Sequence, residues 1–190
     1  MGLACRANRV YLPAGTTTCA GGPVTSVRLP IEQIQSALIH EGLAYWRYLC
    51  RNGTPPLRAD FDPADVRRLL PYTVLTEIHR DPLRVRYRLV GTRICEVDGW
   101  DKTGHWIDEE PWQEHAEQWL KDYRTVIDTR GPLFGRDALT YPDRSTVTFE
   151  WAVMPLSTDG REVDMCFELE AFEGEPGLVE RPLMARARGE

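Results

Sequence analysis

The chain has 190 residues, 42% of them hydrophobic and 27% charged, with 29 acidic against 23 basic side chains and a formal net charge of −6. That length supports one domain with extensions and a core of useful size. The acidic balance argues against a general nucleic-acid or anionic-membrane binder, which the average surface would repel, and no apolar run approaches the roughly 18 residues of a membrane span.

The first fifteen or so residues hold no apolar stretch of secretory-signal length, so a cytoplasmic setting is expected. Five cysteines (Cys5, Cys19, Cys50, Cys95 and Cys166) are odd in number and scattered, without a Cys-x-x-Cys pair. Zinc-ribbon and thioredoxin readings therefore fail, and reduced thiols are the default.

Residues 1–28 are rich in Gly, Thr, Pro and Ala, lack periodicity, and read as a flexible N-terminal tail. From Ile31 to Arg51 the apolar positions Ile31, Ile34, Leu38, Tyr45, Trp46 and Leu49 recur at helical spacing. Pro30 at the start and Asn52-Gly53 at the end punctuate this helix. Its stripe must bury against something, either its own sheet or the same helix of a second subunit. Asp62-Pro63 marks a short helix, with Asp as N-cap and Pro at the first position, closing at Leu70 before Pro71.

Thr73–His79 and Leu83–Gly91 then form a hairpin across Arg80-Asp81-Pro82. Thr92–Val97 reads as a helical turn, followed by a loop from Asp98 to His105. A long helix is expected from Pro111 to about Thr129, with Trp112, Trp119, Leu120, Tyr123, Val126 and Ile127 on one face. Gly131-Pro132 stops it. Three strands follow, Leu133–Tyr141, Thr146–Leu156 and Val163–Phe172, with turns at Pro142-Asp143 and Thr158-Asp159-Gly160. The domain thus spans 29–173, including the flanking helix 31–51, and 174–190 is a second flexible tail. The class is α+β.

Strand alternation assigns faces. Arg84, Arg86 and Arg88 alternate with Val85, Tyr87 and Leu89. Val147, Phe149, Trp151 and Val153 oppose Thr148, Glu150 and Ala152, while Met165, Phe167 and Leu169 oppose Cys166, Glu168 and Glu170. The expectation is one apolar face throughout, covered by the long helix. The other face is wet, its arginines and carboxylates pairing across strands for roughly 0.2–1 kcal/mol each.

Four segments carry a resemblance. They are Arg58-Ala59-Asp60-Phe61-Asp62-Pro63, Leu69-Leu70-Pro71, Arg86-Tyr87-Arg88-Leu89-Val90-Gly91-Thr92, and Gly99-Trp100-Asp101-Lys102-Thr103-Gly104. In this order they resemble the PAS-fold family of short, mostly single-domain proteins common in alphaproteobacteria, over about Leu29 to Phe172. The resemblance implies a PAS fold, namely a five-stranded antiparallel sheet with helices on one face plus the N-terminal flanking helix. It also implies a sensory or regulatory module without catalytic activity, acting through protein contacts with a partner or as a homodimer. Ile31, Ile34, Leu38, Tyr45, Trp46 and Leu49 are the candidate contact stripe.

PAS domains hold small molecules between the inner sheet face and the helices. Bulky Tyr87, Phe149 and Trp151 are large enough to fill that space as a solid core. The alternative is a ligand pocket, walled by those three with Leu89, Met165 and Phe167 from the strands, Trp119 and Tyr123 from the long helix, and Trp100, with Tyr87, Thr103 and His105 as the polar groups near its mouth. No cofactor is assigned. His105 and His115 sit in no haem-binding motif, and Cys95 matches no flavin-photoreceptor signature. Asp108-Glu109-Glu110 reads as anionic residues favouring a helix N-terminus rather than an acid–base pair, and no residue is assigned a metal-ligating role. A small α+β enzyme, or a ligand-free interaction module with a sealed core, are the rival readings.

Overall fold

Six strands form one wholly antiparallel sheet in the order β1-β4-β5-β6-β2-β3. The structure is a computed structural model that describes residues 24–50, 55–109, 115–140 and 145–174. Its strands are β1 (Val24–Arg28), β2 (Thr73–Arg80), β3 (Leu83–Val90), β4 (Leu133–Thr140), β5 (Thr146–Leu156) and β6 (Met165–Phe172). The helices are α1 (Ala37–Leu49), α2 (Thr92–Asp98) and α3 (Ala116–Thr129). The expected five strands are all present. The sixth, β1, lies in what reads as tail: Val24 to Arg28 pair with Leu139 to Gly135 along the free edge of β4. Its Val-Thr-Ser-Val-Arg sequence alternates weakly, and only the partner edge makes it a strand. Pro111, the turn at Pro142-Asp143 and the turn at Asn52-Gly53 lie outside the described residues, as do the tails 1–23 and 175–190.

Two of the expected helices change form. Pro30 opens a 3-10 turn over Ile31–Gln33, the chain extends at Ile34, and α1 begins after Ser36. A buried carboxylate explains the break: Glu150 of β5, 4% exposed, accepts the backbone N–H groups of Gln35 (2.9 Å) and Ser36 (2.7 Å). The segment after Asp62-Pro63 folds as successive turns ending in a 3-10 turn at Leu70–Tyr72. Asp62 still caps it, accepting the N–H of Ala64 at 2.8 Å.

The larger correction concerns the faces of the sheet, because both are covered. Helix α1 lies on its own sheet, with Leu38, Ile39, Leu43 and Trp46 packed against Ala152, Met154, Leu156, Phe167 and Leu169. Trp46 donates its indole N–H to the carbonyl of Pro155 at 2.8 Å. Contact is close enough that a Cβ on Gly42 would stand 2.0 Å from Leu169 Cδ1, so a larger residue there would force the Leu169 side chain to shift. The stripe read as a possible subunit contact is therefore internal core: Ile34, Leu38, Tyr45, Trp46 and Leu49 are all buried, and Ile31 packs partly buried against them.

On the opposite face, Ile94 of α2 and Tyr123 and Val126 of α3 pack against Val85, Tyr87, Phe149, Trp151, Val153 and Cys166. The arginines of β3 do not pair with the acids of β6, because β2 stands between those strands. Arg84 instead bonds Asp108 at 2.7 Å and stacks over Trp106, and Arg86 donates to the carbonyl of Gly104 at 3.0 Å. The loop after α2 thus covers the β3 edge, which would otherwise be open to pairing.

Candidate functional site

Between α3, the end of α2 and the inner sheet face lies a cavity of about 90 Å³. Five carboxylates line it (Asp98, Asp122, Asp137, Glu168 and Glu170) alongside a single lysine, Lys102. Its aromatic wall consists of Tyr87, Trp119, Tyr123, Phe149 and Trp151.

Each carboxylate arrives by a local structural reason. Asp98 is the last residue of α2, which Gly99 terminates with a left-handed φ of 77°. The loop that follows brings Lys102 Nζ to 2.8 Å from Asp98 Oδ2, with both side chains less than a tenth exposed. That ammonium also lies 5.1 Å from the centre of the Tyr87 ring. Asp122 sits on the buried side of α3 and holds Arg28 of β1 through a two-pronged contact, with Nε to Oδ1 at 2.6 Å and Nη2 to Oδ2. Arg28 also passes 5.5 Å from the Trp151 ring centre. Its Nη1 donates to Ser26 Oγ at 2.7 Å, and Ser26 Oγ donates to Asp137 Oδ1 at 2.5 Å. Trp151 Nε1 donates to the same Oδ1 at 2.8 Å. One hydrogen-bonded line thus runs from α3 through the added strand to the floor of the cavity. Glu168 Oε1 accepts from Tyr123 Oη at 2.8 Å and from Thr76 Oγ1 at 2.5 Å.

The electrostatics follow from burying so many anions together. Burial raises the Asp122 carboxyl above its ordinary range despite Arg28, and the charge of Asp137 adds to the rise. Burial also pushes the Tyr123 phenol well up, reinforced by the nearby charge of Glu168. The Cys166 thiol rises for the same pair of reasons.

Of the residues expected in the pocket, Tyr87, Trp119, Tyr123, Phe149 and Trp151 line the cavity. Met165 and Phe167 do not: β6 presents the other parity, and both pack under α1. Leu89 is 41% exposed, because the β2–β3 register shifts at Leu75/Thr76 and leaves Arg88 with no residue opposite it in the ladder. Trp100 and His105 meet edge to face, ring centres 5.1 Å apart, in the loop after α2, and Thr103 is exposed there. These three do not line the cavity. Tyr87, Phe149 and Trp151 are buried in the core on this face, as the solid-core reading expected, and the cavity lies beside them. The carboxylates are what the sequence reading missed. A signal existed for two: Asp122 falls at helical spacing between Trp119 and Val126, and Asp137 shares strand parity with Leu133 and Leu139. Among the described residues, no group of three or more His, Cys, Asp or Glu is placed to hold a metal ion. No described helix is long and apolar enough to cross a membrane.

A family model described as a PAS domain matches residues 35–168. No curated protein and no solved structure matches. The match covers most of the chain and takes in α1, the helices around the cavity, β2 to β5 and the start of β6, leaving β1 outside it, so the chain belongs to the PAS domain family.

Proposed function

We propose that this member of the PAS domain family is a cytoplasmic sensory module that takes a small molecule in the cavity and reports occupancy through β5 to α1, altering a protein contact. The observation that carries the reading is a pair of neighbouring residues on β5. Trp151 forms the cavity wall, and Glu150, pointing to the opposite face, holds the turn that leads into α1. Strand side chains alternate between faces, so a shift of the β5 backbone at Trp151 moves Glu150 with it.

Two further features support coupling at this point. Gly135 of β4 lies opposite Trp151, and a Cβ there would stand 2.3 Å from the indole and 2.5 Å from the carbonyl of Val27. The indole is thus pressed against backbone and has little room to move without moving the strand. Glu150 is also tied to Arg136 at 2.8 Å, and Arg136 to Glu173 at 3.5 Å, so the helix turn, β4, β5 and the end of β6 share one ionic cluster. Helix α1 offers Tyr48, 45% exposed, on the side away from the sheet, and a partner or second copy would meet the module there. Binding rather than catalysis fits the cavity wall, where Asp98, Asp122 and Glu168 each already hold a structural partner.

The test is native mass spectrometry of the protein purified from its own host, beside a denatured control, with hydrogen exchange at the amides of Gln35 and Ser36. The expected result is a non-covalent mass lost on denaturation, with exchange at those amides differing between loaded and stripped protein. A bare mass, or exchange indifferent to loading, overturns the reading.

A further inference from the structure

The charge of the cavity wall selects among ligand classes, on the reading that the cavity is the ligand site. Five carboxylates and one ammonium line it, and the Arg28 guanidinium beside the wall is bound to Asp122. An anionic guest would add to that crowding in a medium of low dielectric, whereas a cation would relieve it.

The wall also shows the recognition chemistry twice with the chain's own cations. Lys102 sits between a carboxylate and an aromatic face, Asp98 and Tyr87. Arg28 does the same between Asp122 and Trp151. Asp137 offers the start of a third such seat. It is 4% exposed, and both of its side-chain hydrogen bonds land on Oδ1. Among the described residues Oδ2 takes no hydrogen bond, although the side chain lines the cavity beside the aromatic wall. That oxygen is left open as an acceptor on the cavity wall, where a donor of a guest can meet it.

From this geometry we infer that the cavity binds a small organic cation, a primary ammonium or a guanidinium, seated on Asp137 Oδ2 with its apolar part against Phe149 and Trp151. A cavity of about 90 Å³ suits a small guest.

The experiment titrates the full-length protein with methylguanidinium, propylammonium, neutral 1-butanol and anionic propionate at constant ionic strength, following tryptophan fluorescence, since Trp119 and Trp151 line the site. The expected result is a saturable change with the two cations and binding of the neutral and anionic probes weaker by about tenfold or more. Asp137→Asn, which keeps the shape, should weaken cation binding by a similar factor of about ten. If that variant misfolds, Glu170→Gln supplies the same comparison. Butanol or propionate binding as tightly as the cations, or cations binding the variant as tightly as the parent, overturns the cationic class and leaves the ligand pocket standing. No response to any probe also overturns the class, and coupled with a bare native mass it removes the pocket reading as well.

Discussion

Replacing Glu150 by alanine tests the junction on which communication between cavity and helix depends. The side chain is 4% exposed and accepts the N–H groups of Gln35 and Ser36, so the truncation leaves two backbone donors without a charged acceptor. Hydrogen bonds to an ionised group contribute about 1.5–3 kcal/mol each. Arg136, with 38% of its side chain exposed, can rehydrate, so its pair adds only about 0–1 kcal/mol. The expected loss is about 3–7 kcal/mol. At roughly 2–4 °C per kcal/mol for a chain of this size, the melting temperature should fall by about 6–28 °C. Glu150→Gln keeps an acceptor oxygen and should lose about half as much. Calorimetry or chemical denaturation gives the global figure, and amide exchange gives the local one. Exchange should rise first at Gln35 and Ser36, while the strand amides of β5 and β6 stay protected. A loss below about 1 kcal/mol with Gln35 and Ser36 still protected would refute the assignment of Glu150 as the anchor of α1.

Gly135→Ala inserts a methyl where the Trp151 indole and the Val27 carbonyl already meet. A loss of about 1–3 kcal/mol is expected, with the tryptophan fluorescence displaced, and a neutral effect on both would show that β1 can yield there. The Asp159 carboxyl lies below its ordinary value of 3.8 because it accepts the N–H groups of Arg161 and Glu162. Its contribution is therefore complete above about pH 4 and is lost as pH falls through the lower folded value. Chemical shifts of Arg161 and Glu162 should move in that acid window, and Asp159→Asn should abolish the movement. Cys166 is fully buried and its thiol is pushed well up, so iodoacetamide at neutral pH should spare it in the native protein and modify it on unfolding, read by peptide mass. Modification at the native rate of the partly exposed Cys50 would contradict that burial.

Deleting the N-terminal segment would not isolate an intact sheet domain. Removing residues 1–51 would uncover Met154, Leu156, Phe167 and Leu169, which α1 keeps from water. Point substitutions at the junction separate the contact from the core.

The sequence alone determined what depends on neighbours along the chain. Strand positions came from alternation, the capping of the turn at Asp62 from its side chain, and the order of elements from their periods. The family followed from short motifs that sit on those elements. Tertiary structure decided what depends on the partner across space. A period of two separates the side chains of β6 into two sets, and either can face the helices while α1 is free to lie on one side or the other. Once α1 covers Phe167 and Leu169, Glu168 and Glu170 are turned towards the cavity, and carboxylates that read as a solvated face become its wall. In the same way, a weak run at Val24–Arg28 becomes a strand only because β4 offers an open edge, and Arg28 then finds Asp122 across 94 residues of chain. Local pattern encodes the elements, whereas the charge of the site arises from which faces are pressed together.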